Sequence, residues 1–163
     1  MEFNVPAYLS NDTSVRDIRN YNKYISTGVL LDEEILYLLI VGEFVNRNKN
    51  KIAYLKISNA NFDLNDFIYL TKFLGGISKN LIITPHIFTK FIHLLWDNIP
   101  NNKDYEEIIK VFEGISDFIA EKYLDKKYFL QEQNFQNKKW DISNSSLILT
   151  SQKHNHQVVL TCK

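Results

Sequence analysis

Short apolar runs alternate with longer amphipathic segments along most of this chain, and this alternation limits the fold more than any other feature. Residues 28–32, 81–84 and 158–161 form three such runs, each with three consecutive aliphatic residues. Runs of this kind are typical of strands that are buried on both faces of a parallel sheet. The segments between them carry apolar residues at helical spacing. We therefore predict a single α/β domain, in which helices flank a short, mostly parallel central sheet.

Capping residues indicate where the predicted helices begin and end. Thr84 precedes Pro85, and a hydroxyl cap followed by proline at the first helical position is a common helix start. Asp63 offers a cap for a helix that Gly75 would end. On this basis we predict helices at 33–45, at 64–74, from 85 onward, at 105–123 and within 140–154. We also predict a short strand at 128–130 and loops at 46–50, 98–102 and 131–139.

A separate helical segment is predicted before the first strand. Thr13 and Ser14 can cap a short amphipathic helix that runs through Tyr24. We therefore assign residues 1–27 to an N-terminal helical extension and residues 28–163 to the main domain.

Composition narrows the class of protein. A chain of 163 residues with 45% apolar residues has the length of one ordinary domain and enough apolar side chains for a core. Its formal net charge of zero gives no general case for nucleic-acid binding, although local patches remain possible. The single cysteine, Cys162, excludes an internal disulfide. The N-terminus lacks a signal-peptide pattern and the longest apolar run is too short to span a bilayer, so we predict a cytoplasmic protein without membrane association.

Four segments resemble, in order and approximate spacing, the four motifs of the PIN-domain family. Residues 29–42 (VLLDEEILYLLIVG) resemble the first motif, an apolar strand ending in Asp before an apolar helix. Residues 83–95 (ITPHIFTKFIHLL) resemble the second, in which Thr-Pro-His is followed by two apolar residues, Thr and Glu. Residues 141–149 (DISNSSLIL) and 158–163 (VVLTCK) resemble the third and fourth. Together the four segments extend over residues 29–163, which makes the resemblance in fold fairly specific.

The resemblance implies a metal-dependent ribonuclease site, and this sequence departs from it. In the family, three or four carboxylates hold Mg²⁺ or Mn²⁺. Here Asp32 keeps the first acidic position, whereas Lys90, Asn144 and Cys162 occupy the positions of the other acids. A hard divalent cation needs oxygen ligands and several negative charges, and a neighbouring ammonium group repels it. The resemblance therefore predicts that Asp32, Lys90, Asn144 and Cys162 mark the former catalytic positions.

These departures lead to two functional hypotheses. The first is a degenerate PIN-like module, with weak or no nuclease activity and no cofactor, that binds RNA or a protein. The alternative is an active, toxin-type ribonuclease with Mg²⁺ or Mn²⁺, in which Asp32, Asp141 and either Glu33 or Glu34 replace the lost ligands. Each of these residues also has a structural interpretation. Asp32 and Asp141 can cap helices, and acidic residues in a first helical turn are favoured by the helix dipole.

Three geometric expectations follow from the resemblance. Sites in parallel α/β sheets form beyond the carboxyl ends of the strands, so Asp32, Lys90, Asn144 and Cys162 should converge there. We expect Lys90 to form an ion pair with Asp32. We also expect the strand at 158–161 to have an open outer edge, through which a homodimer could form. Because the chain reaches only the fourth motif, a truncated or altered chain is a further alternative.

Overall fold

The computed structural model describes residues 28–57, 60–75, 80–132, 136, 141–154 and 158–161. These residues form an α/β domain with a four-stranded, all-parallel sheet flanked by helices, which confirms the predicted fold class. The helix predicted at 13–24 and Cys162 lie outside the described residues. In chain order the described elements are β1 (Val29–Leu31), α1 (Glu33–Arg47), a 3₁₀ helix (Lys49–Leu55), β2 (Lys56–Ile57), β3 (Ala60–Asn61), α2 (Leu64–Leu74), β4 (Leu81–Ile83), α3 (Pro85–Asn98), α4 (Asn102–Ser116), β5 (Ile119–Glu121), α5 (Lys126–Gln131), α6 (Ile142–Lys153) and β6 (Val158–Leu160).

The four strands of the main sheet lie in the order β5-β4-β1-β6. Val29 of β1 pairs with Leu81 on one side and with Val158 on the other. The chain therefore builds the sheet outward from β1 in one direction and then places β6 on the opposite side of β1. Sheets wound in this way place their ligand sites beyond the carboxyl ends of the strands, near the point where the direction reverses.

The apolar runs form strands because they are buried from both sides. All residues of β1 and β4 are buried, as a central strand between two helical layers requires. Gly28 leads into β1 with a φ of 124°, a conformation that side-chain-bearing residues rarely adopt. Among the described residues, β1 is the sole strand neighbour of β6.

Side-chain caps start most of the helices. Asp32, Thr84 and Asp141 each accept a hydrogen bond from a backbone N–H in the first turn of α1, α3 and α6. Asp63 and Asp66 form a reciprocal capping box at the start of α2. Two of these caps, Asp32 and Asp141, are themselves candidate site residues.

The core includes every residue of β1 and β4 and many residues of α1. Tyr37 is fully buried, and its hydroxyl donates to the carbonyl oxygen of Tyr54 at 2.8 Å. Burial, with a smaller contribution from Tyr54, raises the pKa of Tyr37. Gly42 lets α1 approach α2, because a Cβ at this position would lie 2.4 Å from a ring carbon of Phe67.

Three predictions of secondary structure were wrong. The helix predicted at 105–123 ends at Ser116, and the strand β5 follows it. The strand predicted at 128–130 is part of the helix α5, which Asp125 caps by accepting from the N–H of Lys127 at 2.9 Å. The loop predicted at 46–50 is instead the end of α1 and the start of the 3₁₀ helix. In the first two cases the choice depends on pairing or capping that a short run of apolar residues does not reveal.

Candidate functional site at the carboxyl ends of the strands

Asp32 directly follows β1 and begins α1. Its carboxylate accepts a hydrogen bond from the N–H of Ile35 at 2.7 Å, and its own N–H donates to the carbonyl of Leu160 at 3.1 Å. It is among the few buried charged residues of the described chain, with 8% of its surface exposed. The positive end of the α1 dipole stabilises a carboxylate in this place. The hydrogen bonds of Asp32 therefore connect the end of β1 to both α1 and β6.

Lys90 lies in α3 and reaches two carboxylates from other helices. Its Nζ lies 2.8 Å from Oδ2 of Asp141 and 3.2 Å from Oε1 of Glu33. Glu33 is the first residue of α1, and Asp141 is the cap of α6. The ammonium group thus joins the N-terminal ends of two helices to the middle of a third.

The charges of this cluster stabilise one another. Partial burial is the largest single influence on Lys90 and opposes its ionisation, but the hydrogen bond that Lys90 donates to Asp141 and the charge of Glu33 outweigh it and raise the pKa of Lys90. Burial likewise opposes ionisation of Asp141, yet its hydrogen bonds with Lys90 and with the N–H of Asn144 lower its pKa. At neutral pH the lysine is therefore charged and its partner is ionised.

Asn144 lies in the first turn of α6, beside this cluster. Its N–H donates to Oδ1 of Asp141 at 2.7 Å, so the Asp141 side chain contacts Lys90 and Asn144 at once. The structure thus brings Lys90 and Asn144 to a shared carboxylate near the residue that follows Asp32. Cys162, the fourth predicted site residue, lies outside the described residues.

The ion pair expected between Lys90 and Asp32 is replaced by two others. The described ion pairs of Lys90 are with Glu33 and Asp141. The physical reason is that the carboxylate of Asp32 is directed to the N-terminus of α1, where it accepts from Ile35. Sequence reasoning assigned Glu33 to the helix dipole and therefore missed it as the partner of Lys90.

A chain of buried hydroxyl groups links α3 to α6 next to the cluster. Oγ1 of Thr84 lies 2.8 Å from Oγ of Ser146, and Ser146 donates to the carbonyl of Ser143 at 2.7 Å. Because Ser146 has one hydroxyl proton and gives it to Ser143, Thr84 must be the donor to Ser146. Sequence reasoning identified Thr84 as a cap but missed Ser146. The available signal was the group of serines at 143–146, which is unusual in a helix that must be buried.

The donor set does not fit a divalent cation. Among the residues that the structure describes, no group of three or more His, Cys, Asp or Glu side chains is placed to hold a metal ion. The two carboxylates that converge, those of Glu33 and Asp141, converge on the ammonium of Lys90. The ammonium group of Lys90 thus already supplies the positive charge that these two carboxylates bind.

A concave surface among the described residues lies away from the Lys90 cluster. A shallow groove of about 270 Å³ is lined by Leu39, Arg47, Phe67 and Val111, among others. It lies toward the C-terminal end of α1, whereas the Lys90 cluster lies at the N-terminal end of that helix.

Comparisons with known proteins gave no relatives: no protein-family model matches the chain, and neither a curated protein nor a solved structure is significantly similar to it. Within the described part of the chain, no helix is both long enough and apolar enough to cross a membrane.

Proposed function

We propose that this chain is a PIN-like domain that has lost metal-dependent nuclease activity and acts in the cytoplasm by binding RNA or a protein partner. The observation that carries the proposal is the position of the Lys90 ammonium between Glu33 and Asp141, within 3.2 Å of each carboxylate. Where the family's pattern has an acid that binds a metal, this chain has a cation that neutralises acids.

The electrostatics of the cluster support this proposal. A divalent ion entering here would have to displace an ammonium group whose pKa is raised by the same carboxylates. At short range the repulsion between the two cations is large, because the cluster is only partly exposed to solvent. Metal-activated water, the nucleophile of such nucleases, needs that ion.

The alternative function is an active ribonuclease that uses Asp32, Glu33 and Asp141 with Mg²⁺ or Mn²⁺. One observation favours it: two carboxylates from different helices already converge at the carboxyl ends of the strands. If Lys90 moved away, these groups would be released together. The two proposals differ in whether the parent chain binds the metal at all.

Thermal unfolding with and without Mn²⁺ separates the two proposals. We expect Mn²⁺ to leave the Tm of the parent unchanged. Combining Lys90→Glu, Asn144→Asp and Cys162→Asp restores the family's acids and should give a variant whose Tm rises with Mn²⁺. A metal at 100 times its Kd would stabilise that variant by about 2.7 kcal/mol. Lys110→Glu makes the same charge change as Lys90→Glu alone, on the exposed face of α4, and should give no response.

Cleavage of a labelled single-stranded RNA by the same proteins provides the second test. The parent should leave the RNA intact with Mg²⁺ or Mn²⁺. Metal-dependent cleavage by the parent that Asp32→Ala abolishes would overturn the proposal in favour of the active ribonuclease. Retention of uncut RNA in a salt-dependent manner would favour RNA over a protein as the partner.

A further inference from the structure

The strand β5 forms the outer edge of the sheet on the side opposite β6. The N–H of Lys122, the next residue, donates to the carbonyl of Ile83 at 2.9 Å, so Ala120 and Lys122 direct their backbone groups toward β4. Backbone groups of neighbouring strand residues point to opposite sides. Ile119 and Glu121 therefore direct their N–H and C=O groups outward, where no other described residue pairs with them.

Residues of this edge are exposed and partly apolar. Ala120 and Glu121 are exposed, and Phe118 and Tyr123 on either side of the strand have 52% and 72% of their surface exposed. The edge carries no proline and no bulge among its described residues, two devices that commonly protect edge strands from pairing. No described residue forms a backbone hydrogen bond with the outer side of this edge, so the edge can accept one more strand.

We propose that β5 pairs with β5 of a second copy of this chain, antiparallel and about a twofold axis at Ala120. In this register Ile119 of one copy faces Glu121 of the other, and these are the residues whose backbone groups point outward. Each such pair exchanges two backbone hydrogen bonds. The two sheets become one continuous sheet across the dimer.

The side chains suit this register. The central pair, Ala120 with Ala120 of the second copy, does not exchange hydrogen bonds and is the type of antiparallel pair with the closest side chains. An alanine fits there without steric conflict. Phe118 lies opposite Lys122 of the second copy, which allows a cation–π contact on each side of the axis. No two like charges face each other, as a stable cross-strand arrangement requires.

Self-pairing is favoured over an unrelated partner strand because the same short segment supplies both halves of every pair. An interface of this kind is isologous, so each contact occurs twice and the assembly closes at two copies. The edge of β6 has fewer outward-pointing backbone groups than the edge of β5. Leu160 directs its carbonyl toward the N–H of Asp32, and within the described strand only Val159 points outward. We therefore place the proposed interface at β5, and the dimer predicted from the sequence at β6 stays an alternative for the test.

Molar mass in solution gives the first test. We expect the parent to have twice the monomer mass of 19.2 kDa at micromolar concentration in light scattering after gel filtration. Glu121→Pro removes an N–H that faces the partner and leaves the bonds to β4 in place, because proline is tolerated where the N–H points outward from an edge strand. This variant should be monomeric with an unchanged circular dichroism spectrum.

Val159→Pro is the matched control, since it removes an outward N–H on the other edge of the sheet. It should leave the dimer intact. A parent that is monomeric at these concentrations would overturn the proposal. So would a dimer that persists in Glu121→Pro, and a dimer lost only in Val159→Pro would assign the interface to β6.

Cross-linking tests the register itself. With Cys162→Ser as background, Ala120→Cys places two thiols at the axis, where the short Cα separation of this pair suits a disulfide. Oxidation with diamide should convert most of this variant to a covalent dimer. Lys122→Cys places its thiols four residues apart in the paired strands and should cross-link little. Cross-linking of Lys122→Cys and not of Ala120→Cys would refute the twofold axis at Ala120.

Discussion

Neighbouring serines in α6 differ in what their hydroxyl groups do, although all are buried. Ser146 accepts from Thr84 and donates to the carbonyl of Ser143. The hydroxyl of Ser145 has no hydrogen-bond partner among the residues that the structure describes. A buried polar group without a partner reduces stability, whereas one that completes a chain of bonds contributes to it. The two residues therefore offer a matched pair of substitutions in one helix.

Ser146→Ala should destabilise the domain by about 1–3 kcal/mol, because the buried hydroxyl of Thr84 loses its acceptor. Ser145→Ala should be neutral or stabilise it by about 0.5–1 kcal/mol, since it removes an unpaired hydroxyl and raises helix propensity. Urea unfolding at pH 7 measures both values. Equal effects of the two substitutions would show that the Thr84–Ser146 bond contributes nothing specific.

Single residues also show how much of the candidate site could be predicted from the sequence. The resemblance indicated Lys90 and Asn144 as neighbours of one site; Lys90 donates to the carboxylate of Asp141, which also accepts from the backbone N–H of Asn144 as the cap of α6. The partner of Lys90 was misassigned because Asp32 and Glu33 are adjacent in sequence but serve different helix ends. Which of the two faces α3 depends on the direction of each side chain at the start of α1, and sequence spacing does not determine that direction.

At the scale of elements, the close approach of α1 and α2 depends on Gly42. Gly42→Ala would place a Cβ within 2.4 Å of Phe67, which must then shift, and we expect a loss of about 1–3 kcal/mol. Gly114 in α4 is the control, because a Cβ there would meet nothing within 4 Å. Gly114→Ala should therefore stabilise the domain by about 0.5–1 kcal/mol. A stabilising Gly42→Ala in denaturant unfolding would mean that the two helices are not in tight contact.

The elements that the sequence predicted well are those whose signals are local. Three aliphatic runs became β1, β4 and β6, and in β1 and β4 burial on both faces requires apolar residues at every position. β5 was missed because an edge strand needs only one paired side, and its sequence, Ile-Ala-Glu, continues the helical pattern before it. Its formation depends on pairing with Leu81 to Ile83, which are distant in sequence.

At the scale of the whole molecule, several shifted pKa values set how stability depends on pH. The hydrogen bond from Lys51 lowers the pKa of Asp104, and the Lys90 cluster lowers that of Asp141. Unfolding restores their ordinary pKa of 3.8, so the unfolded state binds more protons in acid and stability falls as the pH drops below about 4. The pKa of Lys90 is raised above its ordinary 10.5, so stability falls again above that pH.

Comparing the parent with Lys90→Met separates the contribution of the Lys90 ion pairs to the unfolding free energy from that of the other ionisable groups. The difference in unfolding free energy should be greatest between about pH 5 and 10, where Asp141 is ionised and Lys90 is charged. It should be about 0–1 kcal/mol per pair, because the groups are half exposed. The difference should shrink below pH 4 as Asp141 gains a proton, and above pH 10.5 as Lys90 loses one.

Lys110→Met, at an exposed lysine with no described ion pair, should give a difference near zero at every pH. A Lys90→Met difference that is constant from pH 2 to 11 would mean that the lysine contributes through packing alone, and the view of Lys90 as the cation of this site would then fail.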